Sequence, residues 1–209
     1  MLKAFTSGIC AGVMVGIGGA IYLSCENKVV GAVLFSVALL TICLLGMYLY
    51  TGKIGLFAED VTVKNAMMLP MGLIGNWIGA TAFGLLFTVA KPGLLESATA
   101  LCQNKLTQSP LQTILLGAFC GILMYSAVKP WGVHKTPFGI FFCIPTFILC
   151  GFEHSIADMF YFAAGRVFEP KRVLFLTLVV IGTTLGGMLI PFLMQIGARA
   201  DKEKKEEAK

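Results

Sequence analysis

The chain reads as an all-α membrane protein: six transmembrane helices in two inverted three-helix repeats, with the second and fifth helices broken. Three observations carry that reading. Of 209 residues, 57% are hydrophobic and only 13% charged, with a mean hydropathy of +0.84. A soluble domain of that size needs far more polar surface. Apolar runs also recur at membrane-spanning length. Finally, short glycine-bearing segments return in the same order in the second half of the chain.

The apolar runs place spans at roughly 4–24, 29–51, 63–90, 111–131, 137–168 and 172–198. The first, with one lysine, an apolar stretch and small residues, has the outline of a signal peptide. The internal repeat requires it as a first helix, so it is retained as a span. The second run reaches GMYLYTGKIG, where Gly46, Gly52 and Gly55 surround Thr51. The fifth carries CGFEHSIADM, which sets Glu153, His154 and Asp158 between apolar stretches. Both runs are expected to be interrupted there, because irregular backbone at membrane depth is tolerated only where protein buries it or it lines a cavity.

The repeat has an offset of 105 to 109 residues: Gly8 and Gly117, Gly46 and Gly151, Gly75 and Gly182. SGICAG echoes LGAFCG, LLGMYL echoes LCGFEH, and LIGNWIGA echoes VIGTTLGG. Each G-x-x-x-G pair lets neighbouring backbones approach closely. Three spans per copy is an odd number, so the second copy inserts upside down. Inverted repeats place a substrate site between two discontinuous helices. The expected organisation is one six-span domain over 1–199, with repeats about 4–90 and 111–198, followed by a charged cytoplasmic tail over 200–209. Ten of the sixteen Lys and Arg residues fall on the side of the N-terminus. That bias puts both termini in the cytoplasm of a multi-pass cell-membrane protein.

Several functions are excluded. The net charge of +5 sits at segment ends and in the tail ADKEKKEEAK, so no basic face fits nucleic acid. Seven cysteines form no CxxC or Cys/His pairing, so neither a metal site nor a disulfide framework is indicated, and no cofactor is implied. Most lie in apolar runs as packing residues, with Cys25 and Cys102 expected in loops. A serine hydrolase would need His154 and Ser155 to pair, but neighbours on a helix point about 100° apart. No G-x-S-x-G occurs, and His134 is the only other histidine. The chain is not read as an enzyme.

The Glu153, His154 and Asp158 cluster is therefore read as a site rather than as structural glue, since intramembrane ionisable groups mark pathways. In a continuous helix Asp158 would lie at i+4 from His154, within reach of its ring. The expectation is a coupled His154–Asp158 pair.

GFEHSIADM resembles the fifth-helix signature of the formate–nitrite transporter family, usually Gly-Phe/Tyr-Glu-His-Ser-Ile-Ala-Asn-Met. LYTG after GAVLFSVALLTICLLGM resembles the family's second-helix break, and GNWIGA resembles its third-helix Gly-Asn-x-x-Gly-Ala. The resemblance runs through all six spans. It implies an aquaporin-like protomer in a homopentamer within the lipid bilayer, each subunit with its own pore for small monovalent anions. The central histidine carries over to His154 and the broken-loop threonine to Thr51. The two apolar constrictions carry over to Phe35 and Leu39 on one side and Phe147 on the other. Asp158 departs from the family's usual Asn, and Gly121 and Thr183 replace asparagines common in spans four and six.

The expected function is a channel or transporter for anions of weak acids, formate first, with nitrite or hydrosulfide as alternatives. His154 would govern pH dependence or proton coupling, with Asp158 and Glu153 as further proton-coupling candidates. An aquaporin-like neutral-solute pore is the second reading, disfavoured because no Asn-Pro-Ala occurs at either break. A membrane scaffold without transport is the third, and it would tolerate loss of His154.

Overall fold

A computed structural model describes residues 1–207. Of the expected charged tail 200–209, residues 208 and 209 lie outside the described residues. The chain is helical, with no strand among the described residues. The helices are α1 (Leu2–Ser24), α2 (Lys28–Leu44), α3 (Tyr50–Glu59), α4 (Val63–Ala90), α5 (Leu95–Lys105), α6 (Pro110–His134), α7 (Phe138–Leu149), α8 (Ser155–Ala164) and α9 (Pro170–Glu207). A single 3-10 turn, Pro92–Leu94, leads into α5.

Polar residues start several of these helices by satisfying amide groups that lack intrahelical partners. The Asn27 side chain accepts from the amides of Val29 and Val30, Thr62 from Asn65, and Ser109 from Gln112. Four helices, over Leu2–Ser24, Val63–Ala90, Pro110–His134 and Pro170–Arg199, are long and apolar enough to cross a membrane. Lys28–Leu44 and Phe138–Leu149 are apolar but shorter.

The helices that precede the two irregular stretches stop in the same way. At the end of α2 the amide of Met47 donates to Ile42 O at 2.9 Å, around Gly46 with φ +64°. At the end of α7 the amide of Phe152 donates to Phe147 O at 2.9 Å, around Gly151 with φ +68°. Both are Schellman caps, in which the left-handed residue must avoid a Cβ clash with its own backbone. The chain is non-helical between α2 and α3 and again between α7 and α8, so each pair leaves a short irregular stretch inside the bundle.

Glycines also set the tightest helix pairs. α1 packs along α4, and α6 along α9. A Cβ on Gly12 would drive into the carbonyl of Asn76, and one on Gly186 into the carbonyl of Ala118. Neither crossing survives a larger residue without the backbones parting. α8 sits against α4, α1, α5 and α9, and all ten of its residues are buried. The outer surface is apolar instead: Trp77, Leu86, Phe142 and Phe192 are exposed. An apolar outside around a core with buried polar residues suits a lipid or subunit environment.

The segment between spans three and four, read from sequence as a connecting loop, is largely helical. α5 buries Ala98 and Cys102, and its Thr99 hydroxyl donates to the carbonyl of Gly165 at 2.9 Å. This lays α5 across the end of α8 and brings Lys105 inward. His134 ends α6.

Candidate functional site

The two irregular stretches face each other. His154 is the N-cap of α8, its Nδ1 accepting the amide of Ala157 at 3.1 Å. An Nδ1 that accepts carries no proton, so the neutral ring holds its hydrogen on Nε2. That Nε2–H donates to the Thr51 hydroxyl at 2.9 Å, at the start of α3. A proton added to Nδ1 would confront the Ala157 amide, so the cap and an imidazolium exclude one another. The starts of α3 and α8, each with a partial positive end, thus meet through one buried hydrogen bond.

Apolar rings close over this contact. Phe147 stacks on His154 with centroids 5.6 Å apart and 16° between planes. Phe35 meets Phe147 edge-on at 6.4 Å and 79°. Phe35, Leu39 and Phe147 are buried, 3 to 4% exposed. The expectation that Phe35 and Leu39 form one barrier, across His154 from Phe147, is corrected here. Phe35 and Phe147 line one cavity, of about 110 Å³, together with His154, Asp158 and Lys105. Leu39 lines a different cavity, of about 220 Å³, with Leu49, Gly52, Trp131, Lys53 and Lys135. Phe35 and Leu39 do share a face of α2, but one turn of helix is enough to set them in separate chambers.

The expected His154–Asp158 pair is also corrected. The only bond between the two residues is the backbone one, Asp158 N–H donating to His154 O at 2.9 Å. The Asp158 carboxylate turns to α5, where Lys105 donates to its Oδ1 at 3.0 Å. The same ammonium is bonded to Glu153. Glu153 accepts further from Gln108 at 2.6 Å, and its amide donates to Leu116 O. Interrupting the helix at 150–154 explains the difference, because the i, i+4 alignment assumed for a continuous helix starts afresh at the cap.

The sequence reading missed Lys105, Leu49 and Asn76. Asn76, fully buried on α4, accepts the amide of Tyr50 and donates to the carbonyls of Gly8 and Tyr48, each at 2.8 Å. It fastens the α2–α3 stretch to α1 and α4 and so positions Thr51. The GNWIGA motif carried a signal for it, since an Asn among close-packing glycines has to satisfy its amide inside the bundle. Thr183, its counterpart in the second half, bonds only to Val179 O of its own helix. The second stretch is instead held by α5 and α6.

Seven thiols are free, and Cys102 lies buried in α5 rather than in a loop. Burial, reinforced by Asp158, pushes the Cys102 thiol up to about 12, which makes it an inert packing group. No group of His, Cys, Asp or Glu among the described residues is arranged to hold a metal ion.

The chain is 28% identical to the uncharacterized transporter YrhG of Bacillus subtilis, over 86% of this chain and 76% of that one. It is 28% identical to the nitrite transporter NirC of Salmonella typhimurium, over 78% and 68%. A pentameric formate channel solved with formate bound shares its fold, with a TM-score of 0.79 at 21% identity, covering 95% of this chain and 97% of that one. The family profile described as formate/nitrite transporter matches residues 1–196. With that match over nearly the whole length, and several apolar helices of spanning size, this multi-pass membrane protein belongs to the formate/nitrite transporter family.

Proposed function

We propose that the chain forms a channel or proton-coupled transporter for small monovalent anions of weak acids, with formate the first candidate and nitrite or hydrosulfide next. The observation that carries this is the Thr51–His154 hydrogen bond: His154 lines the chamber that holds Lys105, and Gly52, next to Thr51, lines the one with Lys53 and Lys135. An anion entering either chamber loses hydration, which is costly unless its charge is offset. Lys53, Lys135 and the starts of α3 and α8 supply positive potential without closing on the anion as a fixed ion pair. Phe35 with Phe147, and Leu39 with Leu49, act as apolar barriers on either side of His154. Such barriers oppose hydrated ions and favour a neutral acid. The Thr51 hydroxyl, held by the His154 Nε2–H, donates to the solute and orients it between them. His154 thereby sets the pH dependence of passage, through its hold on Thr51.

The architecture proposed is a single six-span domain over 1–199 of aquaporin-like form, with inverted repeats about 4–90 and 111–198. Its support is the exchange symmetry of the packing: α1 lies on α4 as α6 lies on α9, and α3 meets α9 as α8 meets α4. The two Schellman glycines add to it. We place the protein in the cell membrane as a homopentamer with both termini cytoplasmic. The pentameric relative and the bias of basic residues support that placement.

The test is flux in proteoliposomes for formate, nitrite, acetate and lactate, with and without a pH gradient. Formate uptake above empty vesicles, raised by an inward proton gradient, is the expected result. Rapid water flux with no anion flux would replace the reading with a neutral-solute pore. Intact oligomers with neither flux would make the protein a scaffold.

A further inference from the structure

Two carboxylates share one ammonium beside the Phe35–Phe147 barrier. Glu153 and Asp158 are each 1% exposed, and Lys105 is their common partner. Both Glu153 oxygens are engaged, one by Lys105 and one by Gln108. Asp158 uses only Oδ1. Its Oδ2 is buried with no hydrogen-bond partner among the described residues. The residue lines the chamber that also holds His154 and the two phenylalanines. With both acids ionised, the cluster would carry net negative charge in a closed space where an anion has to pass. An unpaired buried carboxylate oxygen is costly, and a second one next to it repels.

We propose that Asp158 is the proton-exchanging residue of the passage: Oδ2 carries a proton and hands it to the anion drawn in by Lys105. The proposal rests on the reading of this chain as a weak-acid anion passage. In the transfer the Asp158 O–H bond breaks, its electron pair stays on Oδ2, and a new O–H bond forms on an oxygen of formate. Asp158 becomes a carboxylate that shares Lys105 with Glu153. Neutral formic acid then crosses the rings. Water at the mouth of the chamber, where the Lys105 side chain is 13% exposed, returns the proton to Oδ2. One proton and one anion cross per cycle.

Other groups bear on this site. Lys105 and Cys102 face it from α5, Cys120 from α6, and Glu153 from the turn. Tyr161 lies one turn along α8, with Tyr22 of α1 beyond it. Arg172, at the start of α9, is near Cys102. α4 meets α8 through Gly84 against Phe160 and Ala163, contributing backbone and apolar atoms. The His154 ring is committed to Ala157 and Thr51, so it is not the group that neutralises Asp158.

The experiment compares formate uptake by the full-length protein and by Asp158→Asn in proteoliposomes, from about pH 6 to about pH 8. Without its own donor the variant depends on acid already protonated in bulk, so its uptake should fall roughly tenfold per pH unit. The wild type should fall much less steeply, and Asp158→Glu should restore its profile. Identical profiles for wild type and Asp158→Asn would overturn the proposal. A wild type that transports no weak acid at any pH would overturn the underlying reading instead. Should Asp158→Asn fail to assemble, isotope-edited infrared spectra of wild type labelled at its three aspartates decide the matter. A protonated aspartic carboxyl at neutral pH supports the proposal, and its absence sinks it.

Discussion

Thr51 and His154 lie 103 positions apart and meet at 2.9 Å through Oγ1 and Nε2. They stand at the starts of α3 and α8, so the contact ties the two halves of the chain beside their irregular stretches. Thr51→Val would leave Nε2–H buried and unpaired, at about 1–3 kcal/mol. Thermal unfolding in detergent should show that loss, and formate flux should drop with it.

His154→Asn separates the two roles of the histidine. Asparagine is a good N-cap, so α8 should still start at Ser155. The variant should assemble normally on size exclusion yet lose the wild-type pH response of flux. A pH profile unchanged from wild type would remove His154 from the mechanism.

Phe147 touches both Phe35 and His154, so its removal should be felt at the barrier and in the fold. Phe147→Ala should cost about 3–5 kcal/mol through the cavity left behind. It should also raise leak of the charged anion and weaken selectivity in reconstituted vesicles. Leu39→Ala should enlarge the other chamber at about 2–5 kcal/mol, without disturbing the Phe147–His154 stack.

Asn76 makes three buried bonds at the α2–α3 stretch. Asn76→Ala should therefore free the amide of Tyr50 and speed its hydrogen exchange, with a loss of a few kcal/mol, about 1–3 per orphaned group. Exchange at the α7–α8 stretch should stay as in wild type, because different residues hold it. Equal acceleration at both stretches would show that the two are fastened as one unit.

Lys105→Met leaves Glu153 and Asp158 buried without their cation, at about 3–5 kcal/mol. Removing one of the acids as well should recover part of that loss. In a double-mutant cycle Lys105→Met with Asp158→Asn should be less damaging than the sum of the single changes. Strict additivity of the unfolding energies would mean the ion pair is not formed in the membrane.

The helical class, the membrane setting and the family were legible in the sequence, because each is a property of local pattern. Spanning helices need long apolar runs, and close helix crossings need glycines at fixed spacing. GFEHSIADM is specific enough by itself to suggest the family. Gly46 and Gly151 even marked the points where α2 and α7 end, since a left-handed cap favours glycine, although Lys135 and Arg166 take the same conformation at the ends of α6 and α8.

Which side chains meet was a different matter, decided by tertiary structure. Nothing in the spacing of Phe35, Leu39 and Phe147 told which two would face one chamber, because that depends on how α2 turns against α7. Asp158 was assigned to His154 on the geometry of an unbroken helix, and the cap at His154 cancels that geometry. Its actual partner comes from α5, a helix with too few apolar residues to stand out in the sequence. A buried charge takes whichever counter-charge the fold carries to it, and sequence distance leaves no trace of that choice.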